Sequence, residues 1–247
     1  MALTLNAVPG DKSANSYVTL AAAASYFEGR YPSTAWDDDG KDARSDASKN
    51  VLLVNATRDI NGMLAEWRVP YFNGRLEDYQ QALTWPWYGG ALNWSGTASG
   101  GSTTTLIDTS IDDGYASNDA RIVGGSVLVY DTTDDAAPKL ELSQVTAYDP
   151  TTSTLTFGAL TAAVGSGDSY KFVGPVPSWL VEAVCEQAYY LAGQRGVEMN
   201  DWRRGVASKG GTAGGGNTAL RKPSPHSNVC QLAAEIVARN AYLGVRQ

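Results

Sequence analysis

The chain has 247 residues, 43% of them hydrophobic and 18% charged, and a formal net charge of −7. That length allows one large domain or two smaller ones with a real core. The acidic balance speaks against a general nucleic-acid binder, which is usually basic, and no run approaches the ~18 apolar residues of a membrane span. The opening MALTLNAVPG lacks the basic stretch and apolar run of a signal peptide, so synthesis in a cytosol with reduced cysteines is expected. Seven Trp and thirteen Tyr are many, and such rings serve cores and protein interfaces alike.

In chain order, Thr19 is placed to cap a helix over the alanine-rich LAAAASYFE, with Gly29 as its stop. The acidic stretch Trp36-Asp37-Asp38-Asp39-Gly40 reads as a solvated turn. It is not a calcium loop, because Ala35 stands where the first ligand belongs. From Lys49 to Trp67, Leu53, Ala56, Ile60, Met63, Leu64 and Trp67 recur at helical spacing, and Pro70 ends the helix. A short helix is expected over Leu76–Leu83, before Trp85-Pro86-Trp87-Tyr88.

At Gly96 the texture changes. Short β-branched and aromatic runs alternate with Gly, Asp, Asn and Ser, which predicts strands near Thr103–Asp108, Ile122–Tyr130, Leu140–Tyr148, Thr154–Phe157 and Ser169–Val173. Asp149–Ser153 is the turn between two of them. Residues 96–174 hold ten Asp/Glu and three Lys/Arg, net −7, whereas the flanks hold sixteen of each. A helix opens after Pro177 with the stripe Leu180, Val184, Ala188, Leu191, and its face calls for the Lys49–Trp67 helix as cover. Residues 195–222 are glycine-rich and basic, too poor in apolar groups to pack alone. Val229, Leu232, Ala233, Ile236, Val237 and Leu243 then mark a last amphipathic helix, stopped by Gly244.

The expected fold is therefore α+β: a discontinuous α-helical bundle domain, 1–95 plus 175–247, with an inserted small antiparallel β domain, 96–174, as a barrel or sandwich. Trp85, Trp87, Tyr88 and Trp179 fall at the two joints and are expected to pack the domain junction or a neighbouring subunit.

No motif announces catalysis. The one histidine, His226, has Cys230 four residues on, but a closed zinc site needs four ligands and only Cys185 remains. No nucleophile elbow or phosphate loop is present. No enzyme activity, cofactor or metal is expected. Aromatics interleaved with basic groups, the mark of single-strand binding, occur only at Trp202-Arg203-Arg204. A glycan-binding β module using Tyr115, Tyr130 or Tyr148 is a weaker alternative.

Asn15-Ser16-Tyr17-Val18-Thr19, Asn55-Ala56-Thr57-Arg58-Asp59-Ile60 and Gln80-Gln81-Ala82-Leu83-Thr84-Trp85-Pro86 carry a resemblance, together with Val176-Pro177 and the Glu182–Leu191 helix. They resemble the head–tail connector (adaptor) proteins of tailed bacteriophages, a family also described as DnaT-like single-stranded-DNA-binding proteins. Relatives carry a basic residue after Trp-Pro, where this chain has Trp87. The resemblance implies a virion protein of the neck, a homo-oligomeric ring (a dodecamer) under the portal protein. The next neck component, a stopper or tail terminator, would sit beyond it, and genomic double-stranded DNA would pass through the lumen. In that setting Arg195, Trp202, Arg203, Arg204, Lys209, Arg221 and Lys222 are expected to order on the portal. Single-stranded-DNA binding in phage replication is the alternative.

Overall fold

The structure is a computed structural model, and it describes residues 3–30, 34–38, 42–66, 82–85, 93–111, 114–193 and 230–243. The chain is α+β and divides into two units. A helical unit takes Met1–Leu5, Val18–Trp67 and Trp179–Tyr242, and a β unit takes Asn6–Tyr17, Arg68–Ser178 and Leu243–Gln247.

In the helical unit, α1 spans Leu20–Glu28 and starts as its sequence indicates. Thr19 is extended (φ −76°, ψ 158°) and its hydroxyl accepts the Ala22 amide at 3.1 Å, satisfying one orphan donor of the first turn. Gly29 ends the helix, though in the right-handed region. The acidic stretch departs from expectation: Trp36 and Asp37 belong to a short helix, α2 (Thr34–Asp37). Trp36 is buried and stacked on Phe27 of α1, with centroids 4.5 Å apart and planes at 24°. Burial of an indole outweighs the pull of its acidic neighbours toward solvent.

Helix α3 spans Asp46–Glu66, and the Ser45 hydroxyl accepts the Ser48 amide ahead of it. Leu53, Ala56, Ile60, Met63 and Leu64 are all buried, the stripe the spacing predicts. Helix α4 (Ser178–Gly193) begins behind Pro177 and buries far more than one stripe. Leu180, Val184 and Ala188 are covered, and so are Ala183, Cys185, Glu186, Gln187 and Ala192. A helix buried on several sides is a central element. Helix α5 (Gln231–Leu243) buries Ala233 and Val237, while Leu232, expected on the same stripe, is 49% exposed.

Among the described residues the β unit holds seven strands: β1 Asn93–Thr97, β2 Gly100–Gly101, β3 Thr105–Ile107, β4 Ser126–Asp131, β5 Glu141–Asp149, β6 Thr154–Phe157 and β7 Ser169–Val173. Every pairing is antiparallel, and the order is β1-β7-β4-β5-β6-β3-β2. Of the barrel or sandwich expected, a closed barrel is not what forms. The sheet is open, with β1 and β2 as its edges, and those two edge strands follow one another in the chain through Ala98-Ser99. Strand β5 links the two halves of the sheet. Its first half pairs β4, its second half pairs β6, and a register shift between Val145 and Ala147 bends it where the partners change. Leu106, Val127, Val129, Val145, Leu155, Tyr170 and Phe172 belong to one buried core cluster of this unit.

Two glycines make the passage of residues 93–101 feasible. A Cβ on Gly96 would lie 2.5 Å from Asp108 Oδ2 and 2.9 Å from the Tyr170 ring, and one on Gly101 would lie 2.3 Å from the Thr105 carbonyl oxygen. The expected starts at Thr103 and Ile122 are too early, since pairing begins at Thr105 and Ser126, and Ile122 sits buried in a turn. The turn at Asp149–Ser153 forms as read, with Asp149 Oδ1 accepting the Thr151 amide. The expected Leu76–Leu83 helix lies largely outside the described residues, and residues 82–85 are not helical.

Candidate functional site: polar ties and aromatic stacks

Glu186 is the polar centre of the helical unit. Its side chain is 7% exposed, and it accepts from Arg30 Nε (2.6 Å) and Nη2 (2.9 Å) and from the Tyr26 hydroxyl (2.6 Å). Arg30 lies just past α1, so this tie joins chain segments over 150 residues apart. The Arg30 guanidinium also sits 3.7 Å over the Tyr189 ring. Burial pushes the Glu186 carboxyl up, but Arg30 and then Tyr26 outweigh it, leaving the group below its usual value. Tyr26 is raised by burial and by the facing carboxylate.

Gln187, fully buried, is the second tie. Its amide nitrogen donates to Asp59 Oδ2 on α3 at 2.9 Å, and its amide oxygen accepts the Cys230 amide ahead of α5 at 2.8 Å. One side chain thus connects three helices. Arg44 donates to the carbonyls of Ala35, Asp38 and Ala192, and Lys49 pairs with Asp37 at 3.1 Å while lying over the Trp36 ring.

In the β unit, buried Asp108 accepts the Tyr170 hydroxyl at 2.7 Å and the amide and hydroxyl of Ser110 at 2.8 and 2.6 Å. Tyr170 accepts in turn from Trp94 Nε1 at 3.0 Å. Trp94 lies 4.0 Å from Phe172 and 6.2 Å from Tyr115, near parallel to both, and Arg121 covers Tyr115 while bonded to Asp119. Asp168 accepts the amides of Thr133 and Gly165, bracing two loops.

Residues Asn6–Tyr17 belong to this unit. Asn6 and Asn15 hold that segment closed on itself, Ser126 donates to the Pro9 carbonyl, and Asp11 is lowered because Ser13 outweighs the effect of burial. Tyr17 and Trp85 are both buried, and the Trp85 amide donates to the Tyr17 hydroxyl at 3.1 Å. Two of the stretches singled out in the sequence, Asn15–Thr19 and Gln80–Pro86, therefore meet in space.

Of the expected packing residues, Trp85 is buried in the β unit and Trp179 is half-buried at the start of α4. Trp87, Tyr88, Arg195, Trp202, Arg203, Arg204, Lys209, Arg221, Lys222 and His226 lie outside the described residues. Of the three tyrosines named for a glycan platform, Tyr148 is 2% exposed and so is not the exposed ring expected, Tyr115 is half-buried beside Trp94 and Arg121, and Tyr130 is 40% exposed. Sequence reasoning passed over Arg30, Glu186 and Gln187. Their one signal was two adjacent polar residues inside a helix otherwise apolar on most sides.

Among the described residues no three His, Cys, Asp or Glu side chains are grouped to hold a metal, and no helix is long and apolar enough to cross a membrane. Cys185 and Cys230 are free thiols, and burial pushes Cys185 up to about 12. The charged and polar groups here hold segments of the chain to one another. The class they define is an α+β protein of two units, each tied internally by a buried carboxylate.

Compared with known proteins, residues 1–98 match the model of a family described as "Putative DnaT-like ssDNA binding protein". The match spans less than half of the chain and supports the DnaT-like description for that part. No curated protein and no solved structure matches.

Proposed function

We propose that this chain is a structural virion protein, a head–tail adaptor that forms a ring under the portal, joins capsid to tail and lets DNA pass. In this reading the helices belong to a helical bundle that makes the lateral contacts. Residues 195–222 dock on the portal, and the β unit faces outward or toward the next neck component. The role is mechanical and uses no catalysis or cofactor.

The observation that carries it is where the cations go. Arg30, Arg44, Lys49, Arg121 and Lys139 are each held by acceptors of their own unit, and the negative surplus lies in residues 96–174. A protein built to read phosphates keeps such groups turned outward. Here Arg30, Arg44 and Lys49 instead tie segments of the helical unit together, as a rigid adaptor needs. The test is to mix purified protein with the portal of the same phage and follow assembly by sedimentation and negative-stain imaging. Rings or portal complexes are expected; protein that stays monomeric with portal across a range of salt would sink the proposal.

The family match favours one second reading, single-stranded-DNA binding. It requires a labelled oligonucleotide to bind at low salt with an affinity that falls steeply as salt rises. Absence of any shift at low salt removes it.

A further inference from the structure

We propose that β1 takes up an extended, net basic segment of another protein as an added strand of the sheet. This needs neither a ring nor a portal, and so goes beyond the adaptor reading. Strand β1 pairs with β7 on one side, and its other side is a margin of the sheet. Which groups face that margin follows from Ala98, where the ladder continues. Its amide donates to the Asp168 carbonyl and its carbonyl accepts the Gly167 amide. Bonding direction reverses at each residue of an extended strand, so Gly96 and Trp94 also turn their amides and carbonyls toward β7. Ser95 and Thr97 turn theirs outward, and both residues are exposed. Among the described residues no hydrogen bond reaches those outward amides and carbonyls.

Sheet margins are normally blunted by proline, lysine, a bulge or a covering loop. Asn93–Thr97 holds no proline and no charge, and its pairing with β7 runs without a register shift. The opposite margin shows the contrast. Strand β2 is two residues long, Val164 lies against Gly101, and the Ser102 and Thr103 carbonyls accept the Val164 and Leu160 amides. Unpaired amides and carbonyls two residues apart, about 6.7 Å along a strand, are matched by the main chain of an extended polypeptide. Charge selects among polypeptides. Residues 96–174 carry net −7, which draws a basic segment and repels an acidic one or a nucleic acid. The short hydroxyl side chains of Ser95 and Thr97 suit β-branched neighbours on the added strand.

The probe is a fluorescein-labelled octapeptide of alternating Val and Lys, mixed with the full chain at about 50 mM salt. Its anisotropy should rise and saturate as the chain is added. At saturation, hydrogen exchange at the Ser95 and Thr97 amides should slow by at least about tenfold. A Val-Glu octapeptide should bind at least about tenfold more weakly, and the Val-Lys peptide N-methylated at every residue should not bind. Ser95→Pro removes an outward amide while sparing the ladder with β7, and should weaken binding at least about tenfold; Ser95→Ala should leave it unchanged. If Ser95→Pro loses the wild-type circular dichroism, the N-methylated peptide and the exchange of the native chain decide. No binding, equal binding of the N-methylated peptide, or equal binding by a folded Ser95→Pro variant overturns the proposal. So do Ser95 and Thr97 amides that are protected in the dilute chain without peptide, or that stay unprotected when it is bound. Protection that appears on concentrating the chain alone would put a second copy on the margin and overturn it too. These readouts involve no portal, so their failure leaves the adaptor reading standing.

Discussion

Replacing Arg30 by Met removes the guanidinium that faces Glu186 but keeps the apolar stem over Tyr189. The carboxylate, 7% exposed, would keep only the Tyr26 hydroxyl as donor. Deleting one partner of a buried pair costs about 3–5 kcal/mol, and Arg30, still 22% exposed, brings the expected loss to about 2–3 kcal/mol. Urea unfolding of the full chain at neutral pH, followed by helical circular dichroism, measures it. Acid gives the sharper check. The folded carboxyl of Glu186 lies below its unfolded value, so its contribution is present above about pH 4.3 and is lost as pH falls through the folded value. Wild type loses the pair in acid while the variant has none to lose, and the gap between them should narrow. A loss below about 1 kcal/mol at neutral pH, or a gap that stays constant on acidification, would refute the account.

Other substitutions test the β unit. Gly96→Ala drives a methyl into Asp108 and Tyr170 and should destabilise that unit by about 1–3 kcal/mol, read by tryptophan fluorescence in urea. Tyr170→Phe takes a donor from Asp108 and an acceptor from Trp94, at a cost of about 1–3 kcal/mol in the same assay. Asp168→Ala should abolish hydrogen-exchange protection at the Thr133 and Gly165 amides while leaving the helical unit's protection unchanged. In the native chain at pH 8, Cys185 should resist alkylation until denaturant is added, since burial holds its thiol near 12; mass spectrometry of the labelled peptides decides.

What could be read in the sequence followed from local rules. The Thr19 cap, the α3 stripe from Leu53 to Leu64 and the strands Thr154–Phe157 and Ser169–Val173 all show their periodicity or end signals in the residues themselves. Strands β1 and β2 do not. Asn93–Thr97 and Gly100–Gly101 are small and polar, and they become strands because β7 and β3 offer edges to pair with. The open sheet was hidden for the same reason, since it depends on β5 changing partners halfway along. Glu186 and Gln187 were missed because their partners, Arg30, Asp59 and Cys230, come from distant segments. Spacing along one helix cannot foresee partners set by tertiary packing.

The succession of β1 and β2 bears on how the family match should be used at the bench. The matched span stops at residue 98, midway along the nine residues that supply both margins of the sheet. A fragment cut there would keep Asn93–Thr97 but lose Ser169–Val173, which pairs with it, and would keep Pro9 but lose Ser126. It would likewise keep Arg30 and Asp59 without Glu186 and Gln187. The matched stretch thus leaves out the partners that several of its residues bond to in the whole chain. DNA-binding or assembly assays belong on the whole chain, where a negative result reports on function and not on a torn fold.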